Sequence, residues 1–253
     1  TQLRSSQDWR EDYIFEDFYV HNIAGEGMYI GNNFSDGCIP SRNMIVRNGI
    51  VSNCGRDGIQ GKGWWEGTNA VYGCTVTNCG RNTADPEAGQ RFGISVLSGT
   101  ADVYNNIVTD IGESGIQIAT QTGPVAGTNY PGYGTYTTFE CEAYNNVVAR
   151  TGLRDDANAN TGHGITSTAL SGALPTKVYA YNNTIVDVEG SNINFASSIS
   201  SASIAQNNIL LGTGSPTSNG PGATMNNNVT TGTLTAGDVF VNAAVDNYHL
   251  AAE

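Results

Sequence analysis

The sequence predicts an all-β, single-domain, right-handed parallel β-helix of roughly seven to eight coils. Three observations predict it. A strand-like repeat ends again and again in a Gly-hydrophobic pair. A Tyr-Asn-Asn run recurs at a fixed place before it. The chain is also poor in charge (13%) yet 39% hydrophobic, with the apolar residues falling in register.

The repeat is clearest in two gapless segments. Val46-Arg47-Asn48-Gly49-Ile50 leads to Gly58-Ile59-Gln60, and Val103-Tyr104-Asn105-Asn106-Ile107 leads to Gly115-Ile116-Gln117. Tyr-Asn-Asn recurs at Tyr104, Tyr144 and Tyr181, with echoes at Gln206-Asn207-Asn208 and Met225-Asn226-Asn227. The Gly-hydrophobic pair recurs at Gly27, Gly58, Gly93, Gly115 and Gly164, and Ser191-Asn192-Ile193 holds the same place without the glycine. Each run is short, β-branched and bounded by Gly and Asn, as strands are. One such coil cannot bury its own apolar face, whereas coils stacked at about 4.8 Å do so together. The paired asparagines fit a turn in which stacked side-chain amides satisfy backbone groups above and below. Leucine-rich repeats do not fit, because Leu is scarce and no helical period fills the intervals.

Composition then bounds the function. Gly-rich, charge-poor chains tend towards disorder, but a register of apolar residues needs a buried face. The 253 residues suffice for one uninterrupted solenoid, 1–253. A net charge of −12 excludes nucleic acid as the main partner, since phosphate binding needs a basic footprint. It leaves room for an anionic ligand at a local basic cluster. No apolar stretch approaches the roughly 20 residues of a membrane span. The chain opens on Thr1 without a secretory signal, and both ends read as if cut from a longer stack, so the expectation is a trimmed, secreted or cell-surface protein. Five cysteines leave at least one thiol unpaired within the chain. Cys54 and Cys79 share a column on adjacent coils, either as a disulfide or as two buried thiols, and Cys74 takes the Asn106 column.

These motifs resemble the parallel β-helix repeat superfamily, the pectate lyase-like and polysaccharide lyase-like proteins, over nearly the whole chain. Asp238–Asn242 followed by Asp246–Leu250 looks like the closing coil of secreted bacterial members. The resemblance implies a fold that hosts many chemistries, commonly on polysaccharides bound in a groove along the stack. The Asp-Pro-His signature of mannuronan epimerases is absent, and Gln90-Arg91-Phe92-Gly93 is a distant echo of the Arg-His-Gly of chondroitinase-type lyases.

Insertions at 62–69, 80–91, 119–138, 152–162 and 168–177 border the strands carrying Gln60, Ser95, Gln117 and Thr166, and are expected to wall that groove. Trp64 and Trp65, with Tyr130, Tyr133 and Tyr136, are candidate sugar-stacking residues, since aromatic faces pack on flat apolar surfaces; the other reading is core or loop packing. Gln60 and Gln117 are candidate substrate contacts. By alternation from an inward Ile59, Gln60 and Lys62 point outward, and Arg56 and Arg91 are expected beside them. Such a cluster suits β-elimination at a uronate, which needs a base for the C5 proton and a cation at the carboxylate. Lys62 or Arg91 is the candidate base and Arg56 the candidate carboxylate clamp. The other reading is an ion-pair ladder of Asp57 and Glu113 with Arg56 and Arg91. Relatives with this fold often add Ca²⁺, for which Glu26 and Asp57 on adjacent coils are candidate ligands. The same two carboxylates, about 5 Å apart if stacked, would alternatively suit a retaining glycosidase. His163, in Gly162-His163-Gly164, resembles part of a polygalacturonase motif, but Asp155-Asp156 sits too near in the chain; His163 is a candidate proton-transfer group or sugar contact, or a satisfied turn residue. The expected partner is an anionic polysaccharide, and a non-catalytic glycan-binding or structural module is the remaining alternative.

Overall fold

The computed structural model describes residues 9–31, 39–82, 90–120, 129–130, 134–135, 137–154, 162–169, 176–196, 202–212, 215–219, 223–230, 240–242 and 247–250. Its strands build three parallel sheets of nine, eight and seven strands that share one core, giving a right-handed parallel β-helix. The first sheet runs from Arg10–Glu16 to Thr224–Asn226 and the second from Tyr19–Ile23 to Val229–Thr230. The third comprises Met28–Gly31, Ile59–Lys62, Ile94–Leu97, Ile116–Thr120, Ile165–Ala169, Ser191–Phe195 and Ser215–Asn219. Its seven strands, against eight in the second sheet, match the coil number the repeats predict.

Register is kept by columns of like residues. Val46, Val71, Val103, Ala143, Ala180 and Ala205 stack inward from the first sheet. Val51, Val76, Val108, Val148, Ile185 and Leu210 do so from the second, and Ile59, Ile94, Ile116, Ile165 and Ile193 from the third. All are buried in one continuous core. The glycine before the third-sheet strand is a steric necessity. A Cβ on Gly115 would lie 2.3 Å from Cγ1 of Val148 and 2.9 Å from the Gly164 carbonyl oxygen.

The Asn pairs divide their work. The first member (Asn105, Asn145, Asn182, Asn207, Asn227) takes a left-handed backbone conformation at φ 50–55°, which Asn tolerates better than most residues. The second is buried and forms a ladder. Asn106 Nδ2 donates to Asn146 Oδ1 at 3.0 Å, Asn146 to Asn183 at 2.9 Å, Asn183 to Asn208 at 3.0 Å and Asn208 to Asn228 at 2.8 Å. The other Nδ2 hydrogen of each reaches a carbonyl one rung back, as from Asn146 to Val103 at 2.9 Å. Cys74 caps the ladder: its N–H donates to Asn106 Oδ1 at 3.0 Å.

Two expectations change. Segment 62–69 does not loop out, because Trp64–Glu66 pairs with Ser41 and Arg42 and so enters the first sheet directly. The terminal segment is an antiparallel pair, Phe240–Asn242 with Asn247–Leu250, not a further parallel coil. Cys54, Cys74, Cys79 and Cys141 are buried thiols.

Asn146→Ala is expected to cost about 3 kcal/mol in chemical denaturation, because it strands donors and acceptors on both adjacent rungs. Asn146→Asp, equal in size but without the Nδ2 donors, is expected to destabilise at least as much. A cost near zero for both would show that the ladder does not hold the rungs.

Candidate functional site

The third sheet presents one outward column of uncharged polar side chains. Tyr29, Gln60, Ser95, Gln117, Thr166 and Asn194 follow one another in register, alternating with the inward isoleucines. Outward does not mean open. Gln60 is 1% exposed, and Ser95, Gln117 and Thr166 are buried too. Ser95 Oγ donates to Gln117 Oε1 at 3.0 Å, while Gln60 Oε1 meets no donor.

Lys62 ends the same face of the same strand. It is 8% exposed, and its cross-rung neighbours are Gly31 and Leu97. That is unusual in this chain. Arg42 faces Glu11, Arg47 faces Glu16 and Lys177 faces Glu140, each one rung away. Lys62 has no such carboxylate among the described residues. Burial alone pushes its ammonium below the ordinary lysine range, since desolvation disfavours the charged form.

The other charged candidates lie at the opposite end of the strand. Arg56 precedes the strand Ile59–Lys62 and Lys62 ends it. Arg56 contacts Glu26 at 3.5 Å and Gln90 at 3.1 Å. Arg91 is 2% exposed, and Glu113 pairs with buried Arg154. Cross-rung pairing is thus present, but with other partners than Asp57–Arg56 and Glu113–Arg91.

Asp57 and Glu26 do stack on adjacent rungs, for Gly27 N–H donates to the Asp57 carbonyl. Asp57 is wholly buried; its Oδ1 accepts the Phe92 N–H at 2.8 Å and its Oδ2 meets no donor. Burial, reinforced by Glu26 and Glu113, holds the Asp57 carboxyl well above the usual carboxylate range. With Glu26 engaged by Arg56 and Asp57 wholly buried, this is not an open pair for a glycosidic bond, and no set of three metal-binding side chains occurs among the described residues.

His163 is also committed. Its Nδ1 accepts the Ser191 N–H at 2.9 Å, which needs that nitrogen unprotonated, and burial lowers its pKa. Its ring packs on Gly190. The tryptophans are corrected likewise. Trp64 is 0% exposed, fills the space left by Gly61 and donates its indole N–H to the Ile30 carbonyl at 3.1 Å; Trp65 is 2% exposed. Neither offers a face to a sugar. The Tyr130 side chain, Tyr133, Tyr136, Asp155-Asp156 and most of the remaining predicted groove-wall segments lie outside the described residues.

Asp57 gives a stability test with a definite sign. Its folded-state pKa is raised, so its contribution is full below the ordinary carboxylate range and is lost as pH rises through the folded value. His163 acts oppositely: its pKa is lowered, so stability falls as pH drops below the ordinary imidazole range. Asp57→Asn is therefore expected to remove a loss of stability on raising pH while leaving the acid-side loss, in urea denaturation across pH. An unchanged profile would contradict this assignment.

No protein-family model matches the sequence, and no curated protein matches it. A solved structure that does match is the A-module of mannuronan C-5 epimerase AlgE6 from Azotobacter vinelandii, at 12% identity and a TM-score of 0.31. The match covers 88% of this chain and 65% of that module, so the chain spans less than two thirds of the module's length.

Proposed function

We propose that this β-helix is a secreted carbohydrate-active protein that binds an acidic polysaccharide along the outward face of the third sheet and cleaves it by β-elimination, with Lys62 as the base. The observation that supports the reading is Lys62 itself, one of two lysines in the chain and, unlike Lys177, without a cross-rung acid. A lysine with a lowered pKa is neutral more often, and only the neutral amine can take a proton. The amine would take the C5 proton, the C4–O4 bond would break as the C4–C5 double bond forms, and the proton would pass to the departing oxygen. Gln60, whose buried Oε1 lacks a donor among the described residues, and Gln117 would meet sugar hydroxyls. Arg56 and Arg91 support the turn before the strand and take no part in this step.

Polygalacturonate, polymannuronate and polyguluronate are the substrates to try, with the ultraviolet absorbance of unsaturated uronates as the readout. Activity on one of them is expected, with Lys62→Ala slower by about 10²-fold or more. Lys62→Arg is expected to keep polymer binding and lose turnover. New reducing ends without absorbance would indicate hydrolysis, polymer binding without either would indicate a non-catalytic module, and a fully active Lys62→Ala would remove the base.

A further inference from the structure

We propose a second glycan site, for a neutral pyranose unit, on the outer face of the first sheet, where Tyr179, Tyr181 and Ile204 form a platform between Glu142 and Gln206. It shares no residue with the third-sheet face and does not depend on the function proposed for it.

The platform grows out of a tyrosine stack. Tyr72, Tyr104, Tyr144 and Tyr181 occupy one column, with centroids 4.7, 4.8 and 5.0 Å apart and planes within 7° of parallel. Each inner ring is covered on both faces by another ring. Tyr181 ends the series, because its partner on the next rung is Gln206. At that end a cavity of about 270 Å³ opens, lined by Glu142, Tyr179, Tyr181, Ile204 and Gln206. Alternation puts Glu142, Tyr179 and Ile204 in one column and Tyr181 and Gln206 in the next on the same face. Two columns across neighbouring rungs span about 7 by 5 Å, the footprint of one sugar ring.

The chemistry of the rim selects the ligand. Tyr181 donates its hydroxyl to Glu142 Oε2 at 2.5 Å, which fixes both ring and carboxylate and leaves Oε1 to accept from a sugar hydroxyl. Gln206, exposed at the other side, can both donate and accept. Glu142 also lies in register with Asp102, a like charge one rung away. Burial and Glu142 together push the Asp102 carboxyl up. Of these two acids Glu142 lines the cavity, and a like pair across rungs is a cost without a structural return. Glu142 there repels a uronate and accepts hydrogen bonds from hydroxyls. An apolar, flat face with an acceptor and an amide at its edges fits the apolar face and equatorial hydroxyls of a neutral sugar.

The test is affinity electrophoresis in gels containing xylan, glucomannan, mixed-linkage β-glucan, chitosan or polygalacturonate. Retardation by at least one of the three neutral glycans is expected. Tyr181→Ala is expected to weaken it about tenfold or more, equivalent to about 1.4 kcal/mol. Glu142→Gln, which leaves every ring in place, is expected to weaken it several-fold, so the result does not rest on a variant that disturbs the stack. Lys62→Ala is expected to leave it unchanged, while any retardation by polygalacturonate responds to Lys62→Ala and not to Tyr181→Ala. No retardation by any neutral glycan, retardation by chitosan alone, or neutral-glycan binding that survives both Tyr181→Ala and Glu142→Gln would overturn the proposal.

Discussion

Every side chain in this protein must tolerate what stands about 4.8 Å above and below it, because the rungs stack in register. That single spacing sorts the amino acids. Branched apolar residues pack on their own kind, as the isoleucine column of the third sheet does. Asn carries both donor and acceptor, so one amide feeds the next without end. Tyrosine rings stack face to face. Charges alone cannot repeat, and they appear mainly as acid against base on successive rungs, at Glu11–Arg42, Glu16–Arg47, Asp110–Arg150 and Glu140–Lys177. The low charge of the sequence is therefore a consequence of the fold and not a sign of disorder.

The same spacing explains how much of the fold was legible in the sequence. A repeat that must stack like on like leaves its columns in the primary structure, and the Val46/Val103, Ile50/Ile107 and Ile59/Ile116 matches are those columns two rungs apart. The Asn pairs were readable for the same reason. What alternation could not show was depth. Gln60 and Lys62 do face away from the core, yet both are shielded, since alternation fixes direction and says nothing of what lies beyond.

Site residues were misread where the repeat breaks. Trp64-Trp65 follows a strand and looks like a loop doublet. The signal against it was Gly61, a missing side chain at an inward position, which needs a large neighbour to fill the gap, and Trp64 is that neighbour. Arg56, Arg91 and Lys62 were grouped because they border one strand, but a strand has two ends, and the chain between Arg56 and Lys62 separates them. The Glu142–Tyr181 platform was missed although its tyrosines were seen. Its trace is the residue two places before each: Asp102, Glu142, then Tyr179, the point at which an acidic column turns aromatic.

Exceptions to charge alternation are thus the most informative residues on the surface. Lys62 lacks an acid across its rungs, and Asp102 and Glu142 lack a base in their shared column. These are retained against a desolvation or repulsion cost, since burial lowers the pKa of Lys62 and burial with Glu142 raises that of Asp102. The two departures have opposite sign and sit on different sheets. A uronate that satisfies Lys62 is repelled by Asp102 and Glu142, so an acidic and a neutral glycan would be held on separate faces of one rigid stack without competing. The solenoid supplies the rigidity that makes this separation stable, because neither face can move without breaking the register on which both depend.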